Sequence, residues 1–279
     1  MTRAVRFRTP DGTVHDGRVV EGEGGGPGWV EAPTGVRVPL ADAERLELDG
    51  ATLLRPIDPP EVWCSGVTYE RSRDARIQES GSDVYARVYD AERPELFLKD
   101  AACRRTVGPG EPIGVRPDTT WNVPEPEIGV VLGDDLQLAG YTIGNDVSSR
   151  DIEGENPLYL PQAKVFAGAC AIGPAVLVPT DWDAPLELHL RIEDADGAEL
   201  FAGETSTARM RRSFAELVSW LVRHNPVPPG SVLLTGTGLV PPDEFTLRPG
   251  HVVSIHVPGI GTLRNPVVAT ADLLERTPR

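Results

Sequence analysis

Glu125-Pro126-Glu127 heads an apolar run, Ile128-Gly129-Val130-Val131-Leu132, and sets two carboxylates two residues apart. Residues i and i+2 of an extended strand project to the same face. The two carboxylates therefore point together, and they repel unless a cation or a proton intervenes. Further on, Gly144-Asn145-Asp146 ends a second strand-like stretch in a third carboxylate, and Gln162-Ala163-Lys164 supplies an ammonium. Three anionic oxygen ligands suit a hard divalent ion such as Mg²⁺, Mn²⁺ or Ca²⁺ better than zinc, and leave coordination positions for water or a chelating substrate.

The lysine is informative because of how rarely the chain uses one. Of 27 basic residues only Lys99 and Lys164 are lysines. Arginine stays charged at any relevant pH, whereas a lysine's proton affinity can be tuned by its surroundings. Lys164, beside the carboxylate set, is the candidate proton-handling group; Lys99 is a second suspect.

Those residues must be positioned by short strands. The 29 glycines and 27 prolines are spread through the 279 residues as punctuation, which fits many strands joined by turns in a β-rich α+β fold. Ala4 to Arg8, Thr13 to Val20 and Gly35 to Leu40 alternate in polarity, with a short helical turn expected over Ala41 to Leu48. Arg55-Pro56-Ile57-Asp58-Pro59-Pro60 then marks a boundary. The chain is read as a small β-rich domain over 1–58 and a larger domain over 59–279. Tyr69 to Glu79 is polar and helix-compatible, an exposed helix or a lid. Ser213 to His224 carries Phe214, Leu217, Val218 and Leu221 at helical spacing, with Arg223 and His224 in the last turn. Leu186 to Ile192, Val232 to Gly238 and Val252 to Val257 read as strands, the middle one running into a glycine loop.

Several chemistries are excluded. A formal net charge of −15 argues against nucleic acid and anionic membrane surfaces. His251 and His256, five apart, face opposite ways in a strand, and no HExxH or HxH occurs, so a zinc hydrolase is not indicated. Gly236-Thr237-Gly238 lacks the Lys-Ser/Thr of a phosphate-binding loop, though its backbone and Thr237 could hold a small anion. Cys64, Cys103 and Cys170 form no metal or disulfide spacing. No signal peptide or run of about 18 apolar residues is present, and a cytoplasmic location is expected.

Taken in order, Phe97-Leu98-Lys99, Glu125-x-Glu127, Gly140 to Asp151, Lys164 followed by Phe166, and Leu233-Leu234-Thr235-Gly236-Thr237 resemble the catalytic domain of the fumarylacetoacetate hydrolase family. The resemblance implies a mixed β-roll core, usually a homodimer, acting on a small 2-oxo acid. It implies Mg²⁺ or Mn²⁺ on Glu125, Glu127 and Asp146, Lys164 close to the substrate, and Gly236 and Thr237 on its carboxylate. Arg150, with Asp151, matches the family's supporting Arg-Asp pair, and Gln162 is placed on the substrate side with it.

Within the family, Tyr69 to Ser80, Val88 to Phe97 and Asp151 to Gln162 are most similar to the branch that dehydrates 2-keto-3-deoxy-D-arabinonate. Hydrolases of the family carry a histidine in the first of these segments, and this chain has none there. The expected activity is therefore a metal-dependent lyase: the cation stabilises charge on the keto oxygen as the C3 proton leaves, and the C4 hydroxyl is then expelled. Hydrolysis or decarboxylation of an acylpyruvate or oxaloacetate-like acid is the alternative. Lys164 is assigned to proton transfer, and Glu70, Glu79 or Glu155 to the second acid–base role.

Overall fold

The computed structural model describes residues 1–22, 28–70 and 84–276. The leading part supplies β1 (Thr2–Arg8), β2 (Val14–Val20), β3 (Trp29–Glu31), β4 (Arg37–Asp42), β5 (Glu47–Leu48) and β6 (Thr52–Leu54). The rest supplies β7 (Glu61–Cys64), β8 (Phe97–Ala101), β9 (Thr106–Val107), β10 (Ile113–Val115), β11 (Asn122–Val123), β12 (Pro126–Leu132), β13 (Leu138–Asp146), β14 (Ser148–Ser149), β15 (Cys170–Val178), β16 (Glu187–Glu193), β17 (Glu199–Ser206), β18 (Val232–Leu234), β19 (Val252–Val257) and β20 (Gly261–Ala269). Five short helices are described: α1 (Val84–Asp90), α2 (Arg150–Glu155), α3 (Leu160–Lys164), α4 (Phe214–Leu221) and α5 (Thr270–Arg276). The fold is β-rich α+β.

One long mixed sheet runs in the order β5-β4-β3-β2-β1-β15-β13-β12-β18-β7-β8, with β6 added to β1 and β9 to β15. A second sheet, β10-β20-β19-β16-β17, packs over its middle. β12 is buried along its whole length, which explains why its sequence reads as an unbroken apolar run rather than an alternating one. Ile128, Val130 and Leu132 face the large core with Leu188, Leu190, Val253 and Ile255. Val131 faces a smaller cluster with Cys64, Cys170, Ile172 and Leu234. Glu127 shares that second face by the two-residue period, so its carboxylate emerges at the end of the smaller cluster.

The first strands are continuous with the sheet that carries the carboxylates: β1 pairs antiparallel with β15 (Thr2 opposite Val178), and β15 pairs with β13. The ladder thus crosses the proline-rich boundary near residue 58. Two local expectations change. Residues 43–46 form a turn between β4 and β5 rather than a helical turn, with Leu46 at φ 57°. The helix expected over Ser213 to His224 is the shorter α4, capped by Ser213 accepting from the Glu216 N–H. It stops at Leu221 because His224 turns into the left-handed region at φ 58°, which places Arg223 and His224 beyond it. Most of the segment Tyr69 to Glu79 lies outside the described residues.

Candidate metal centre and active site

Glu125, Glu127 and Asp146 converge. Each offers a carboxylate oxygen within 4.8 Å of the others, and all three are buried. The backbone explains the convergence. β12 and β13 pair antiparallel with Glu127 opposite Gly144, and the ladder continues as the Asp146 N–H donates to Glu125 O at 3.0 Å. Glu125 and Asp146 are therefore cross-strand neighbours, and Glu127 lies one period further along the same face. Gly144 keeps this register tight: a Cβ there would fall 2.4 Å from a methyl of Leu234.

Cations hold the cluster together. The Lys164 ammonium, fully buried at the end of α3, donates to Glu125 Oε1 at 2.9 Å, Asp146 Oδ2 at 2.8 Å and Ser148 Oγ at 2.6 Å. Lys99, buried on β8, is ion-paired with the other Asp146 oxygen and donates to Val147 O at 3.0 Å. Arg150 Nη2 lies 3.2 Å from Glu125 Oε1, and its Nη1 lies 3.6 Å from Glu153. Both lysines of the chain thus meet at one aspartate. The Gly236 N–H donates to Glu127 Oε2 at 2.6 Å. That turn requires glycine, with φ at 91° and the Cβ position 2.1 Å from Thr68 Oγ1.

The pocket over this cluster is lined by Ser65, Gly66, Val67, Glu95, Phe97 and Thr237 besides the three carboxylates, Arg150, Glu153, Lys164 and Gly236. Five carboxylates (Glu95, Glu125, Glu127, Asp146, Glu153) face three cations (Lys99, Lys164, Arg150), a formal surplus of two negative charges. Burial, Asp146 and Glu125 together push the Glu127 carboxyl well above its usual range. Burial, with Glu127 adding, likewise raises the Tyr69 phenol, and burial with Asp146 and Glu127 raises the Cys64 thiol. The residues fit one hard divalent cation: the donors are all oxygen, and a charge of two balances the site.

Of the residues chosen from sequence, Glu125, Glu127, Asp146, Lys164, Arg150, Gly236 and Thr237 all line this one pocket. The Thr237 hydroxyl is engaged in a local turn, donating to Leu239 O at 2.9 Å. Glu155 and Gln162 are exposed and absent from the described wall. Both sit on helical turns, two residues from an inward-facing side chain (Glu153 and Lys164), and two residues on a helix is a rotation of about 200°. Glu70 is also exposed, and Glu79 lies outside the described residues.

Sequence reasoning passed over Glu95 and Glu153. Glu95, Phe97 and Lys99 follow a two-residue period, so reading back from the suspect lysine would have found both wall residues. Arg150 and Glu153 are three apart on α2, the spacing of an ion pair on one helix face. Glu95 is placed by Ser65, whose hydroxyl donates to its backbone oxygen at 3.1 Å, and by Gly66, where a Cβ would fall 2.1 Å from Glu95 Oε2. Gly66→Ala is therefore expected to push the Glu95 carboxylate aside at little cost in stability, since the side chain's end can move. Steady-state kinetics beside thermal unfolding would check this: roughly tenfold or more lost in kcat with Tm nearly unchanged.

Comparison with known proteins agrees with the geometry. The family described as fumarylacetoacetate (FAA) hydrolase C-terminal matches residues 61–268. A Haloferax volcanii protein described as a probable 2-keto-3-deoxyxylonate dehydratase is 53% identical over 214 residues, covering 76% of this chain and 73% of that protein. The 2-dehydro-3-deoxy-D-arabinonate dehydratase of Saccharolobus solfataricus is 44% identical over 228 residues, covering 80% and 76%. A solved 2-keto-3-deoxy-D-arabinonate dehydratase, complexed with magnesium and 2,5-dioxopentanoate, superposes with a TM-score of 0.79 at 36% identity, covering 96% of this chain and 99% of that one.

Proposed function

The chain belongs to the fumarylacetoacetate hydrolase family, and from that premise we propose that it is a divalent-cation-dependent dehydratase of a 2-oxo-3-deoxy sugar acid of the 2-keto-3-deoxy-D-arabinonate type. The observation that carries the reading is the pocket itself: three buried carboxylates within 4.8 Å, with the Lys164 ammonium against two of them. Glu125, Glu127 and Asp146 would hold the cation, which when bound supplies Lewis acidity toward a keto oxygen. Mg²⁺ is the proposed ion, with Mn²⁺ or Ca²⁺ as substitutes.

The chain's own groups then divide the work. Arg150 and the Gly236–Thr237 turn face the carboxylate of the acid. For this role Lys164 acts as the neutral amine, its ammonium proton released first to solvent, and with Ser148 beside it takes the proton from C3. Glu95, just before β8 on the pocket wall and acting in its protonated form, returns a proton to the C4 hydroxyl as it leaves, so that one water is lost and a C3–C4 double bond forms. No histidine lines the pocket among the described residues, and none occurs between residues 69 and 92. A water-activating imidazole for carbon–carbon hydrolysis is therefore lacking on this side of the site.

Incubation with a panel of 2-oxo acids and Mg²⁺ tests the reading. Loss of water from a 3-deoxy-2-oxo pentonic acid is expected; release of pyruvate or CO₂ instead would overturn it. Metal addition gives a second check. Because only the folded pocket gathers the three ligands, Mg²⁺ at about 100 times its Kd should stabilise the protein by about 2.7 kcal/mol. Calorimetry with and without chelator would read this, and a Tm indifferent to Mg²⁺ would count against the site. The same proposal places the protein in the cytoplasm as a homodimer, with residues 1–58 as a small β-rich module before the catalytic region. No helix among the described residues is long and apolar enough to cross a membrane.

A further inference from the structure

The strip Met210–Arg212, just before α4, touches both ends of the segment that leaves the pocket wall after Tyr69 and returns before Glu95. On the outgoing side, the Arg211 N–H donates to Thr68 O at 3.0 Å, and Tyr69 forms a β-bridge with Met210. On the returning side, the Arg212 guanidinium donates to the backbone oxygens of Ala91 and, at 3.1 Å, Glu92. The Arg211 guanidinium meets Asp90 at 2.5 Å and lies 4.9 Å from the centre of the Tyr89 ring. One residue on, Arg93 stacks on Trp220 of α4 at 4.7 Å.

These contacts are unequal. The Arg211–Asp90 pair is exposed, and such pairs contribute little. Arg212 is only 8% exposed, and its guanidinium spans two carbonyls and the Glu216 carboxylate, at 2.5 Å from the last. A planar five-donor fork can serve three acceptors at once; an ammonium on a lysine stem cannot reproduce that arrangement. Beyond Glu92, the next contacts that hold the chain are the Arg93 side chain on Trp220 and the Ser65 hydroxyl on the Glu95 backbone oxygen. The strip is also tied to the turn on the pocket's far wall, because Thr68, held by Arg211, donates from its hydroxyl to Thr235 O at 2.7 Å.

We propose that Arg212 is a positioning residue for the reaction: by pinning the oxygens of Ala91 and Glu92 it fixes where the returning chain delivers the Glu95 carboxylate into the pocket. This rests on reading the pocket as the reaction site. Arg212 itself does not line that pocket. Its replacement should therefore slow turnover without weakening cation binding, because the ligands stand on β12, on β13 and one residue before β12. A role confined to capping α4 would instead lower stability and leave kcat alone.

The test compares the wild-type chain with Arg212→Gln and Arg212→Lys in three measurements: Mg²⁺ affinity by calorimetry, kcat and KM for the 3-deoxy-2-oxo acid, and hydrogen exchange over 91–95, where Pro94 alone lacks an amide proton. Arg212→Gln is expected to lower kcat roughly tenfold to hundredfold, the scale of a misplaced catalytic group. Mg²⁺ affinity and KM should stay within about twofold, and exchange over 91–95 should accelerate. Arg212→Lys is expected to fall between the two, and it replaces the glutamine variant if that one does not fold. Unchanged kcat, or unchanged exchange over 91–95, overturns the proposal. A wild type that turns over no 2-oxo acid overturns the functional reading instead, while the exchange measurement still decides whether Arg212 holds this segment.

Discussion

Glu127→Gln is expected to abolish Mg²⁺ binding and turnover while the protein remains folded. The side chain is 1% exposed, and one oxygen accepts from the Gly236 N–H. A glutamine carbonyl can keep that hydrogen bond, so the turn at Gly236 stays in place. What is lost is charge: the surplus of negative charge facing the cation falls from two to one, and one of three anionic ligands disappears. The variant should be no less stable than wild type in chelator, because burial, with Asp146 and Glu125 adding, already disfavours a charge at this position. The measurements are Mg²⁺ titration calorimetry and steady-state kinetics, with a loss in kcat of at least about 10³-fold expected. A variant that still binds Mg²⁺ at wild-type affinity would remove Glu127 from the ligand set.

Lys164→Met is the second large effect, with a different signature. Methionine fills about the same volume but leaves Glu125 Oε1 and Asp146 Oδ2 without their ammonium, and Ser148 without one of its donors. Breaking a buried ion pair from one side costs about 3–5 kcal/mol. Without Mg²⁺ the variant should melt well below wild type. With Mg²⁺ much of the loss should return, since the cation supplies the missing positive charge. Turnover should nevertheless stay about 10²–10⁴-fold down, the usual contribution of a positioned proton-transfer group. Differential scanning calorimetry across a Mg²⁺ series, run beside the assay, separates these effects. An active variant would take the lysine out of the proton transfer.

Glu125, Glu127 and Asp146 could be read because strands have a rigid two-residue period: once β12 and β13 pair, the carboxylates have nowhere else to point. Glu155 and Gln162 stand exposed outside the described wall, and α2 and α3 are too short for helical periodicity to say which of their residues face inward. Glu95 was legible only through the two-residue period that runs back from Lys99, because what fixes its placement, Ser65 and Gly66, is distant chain. The β-rich architecture followed from turn punctuation and alternating stretches. The addition of β1 to β15 did not, because a strand's own sequence does not name its partner.

That pairing has a consequence for anyone rebuilding the protein. β15 lies between β1 and β13, and it is apolar and buried for all but its last residue. Trimming the leading strand, or grafting another module in its place, would leave residues 175–178 of β15 as a raw border with amide and carbonyl groups open to any passing chain, while β9 still covers Cys170 and Ala171. Such chimeras should clump before they misfold visibly, and the damage would start only one strand away from Asp146.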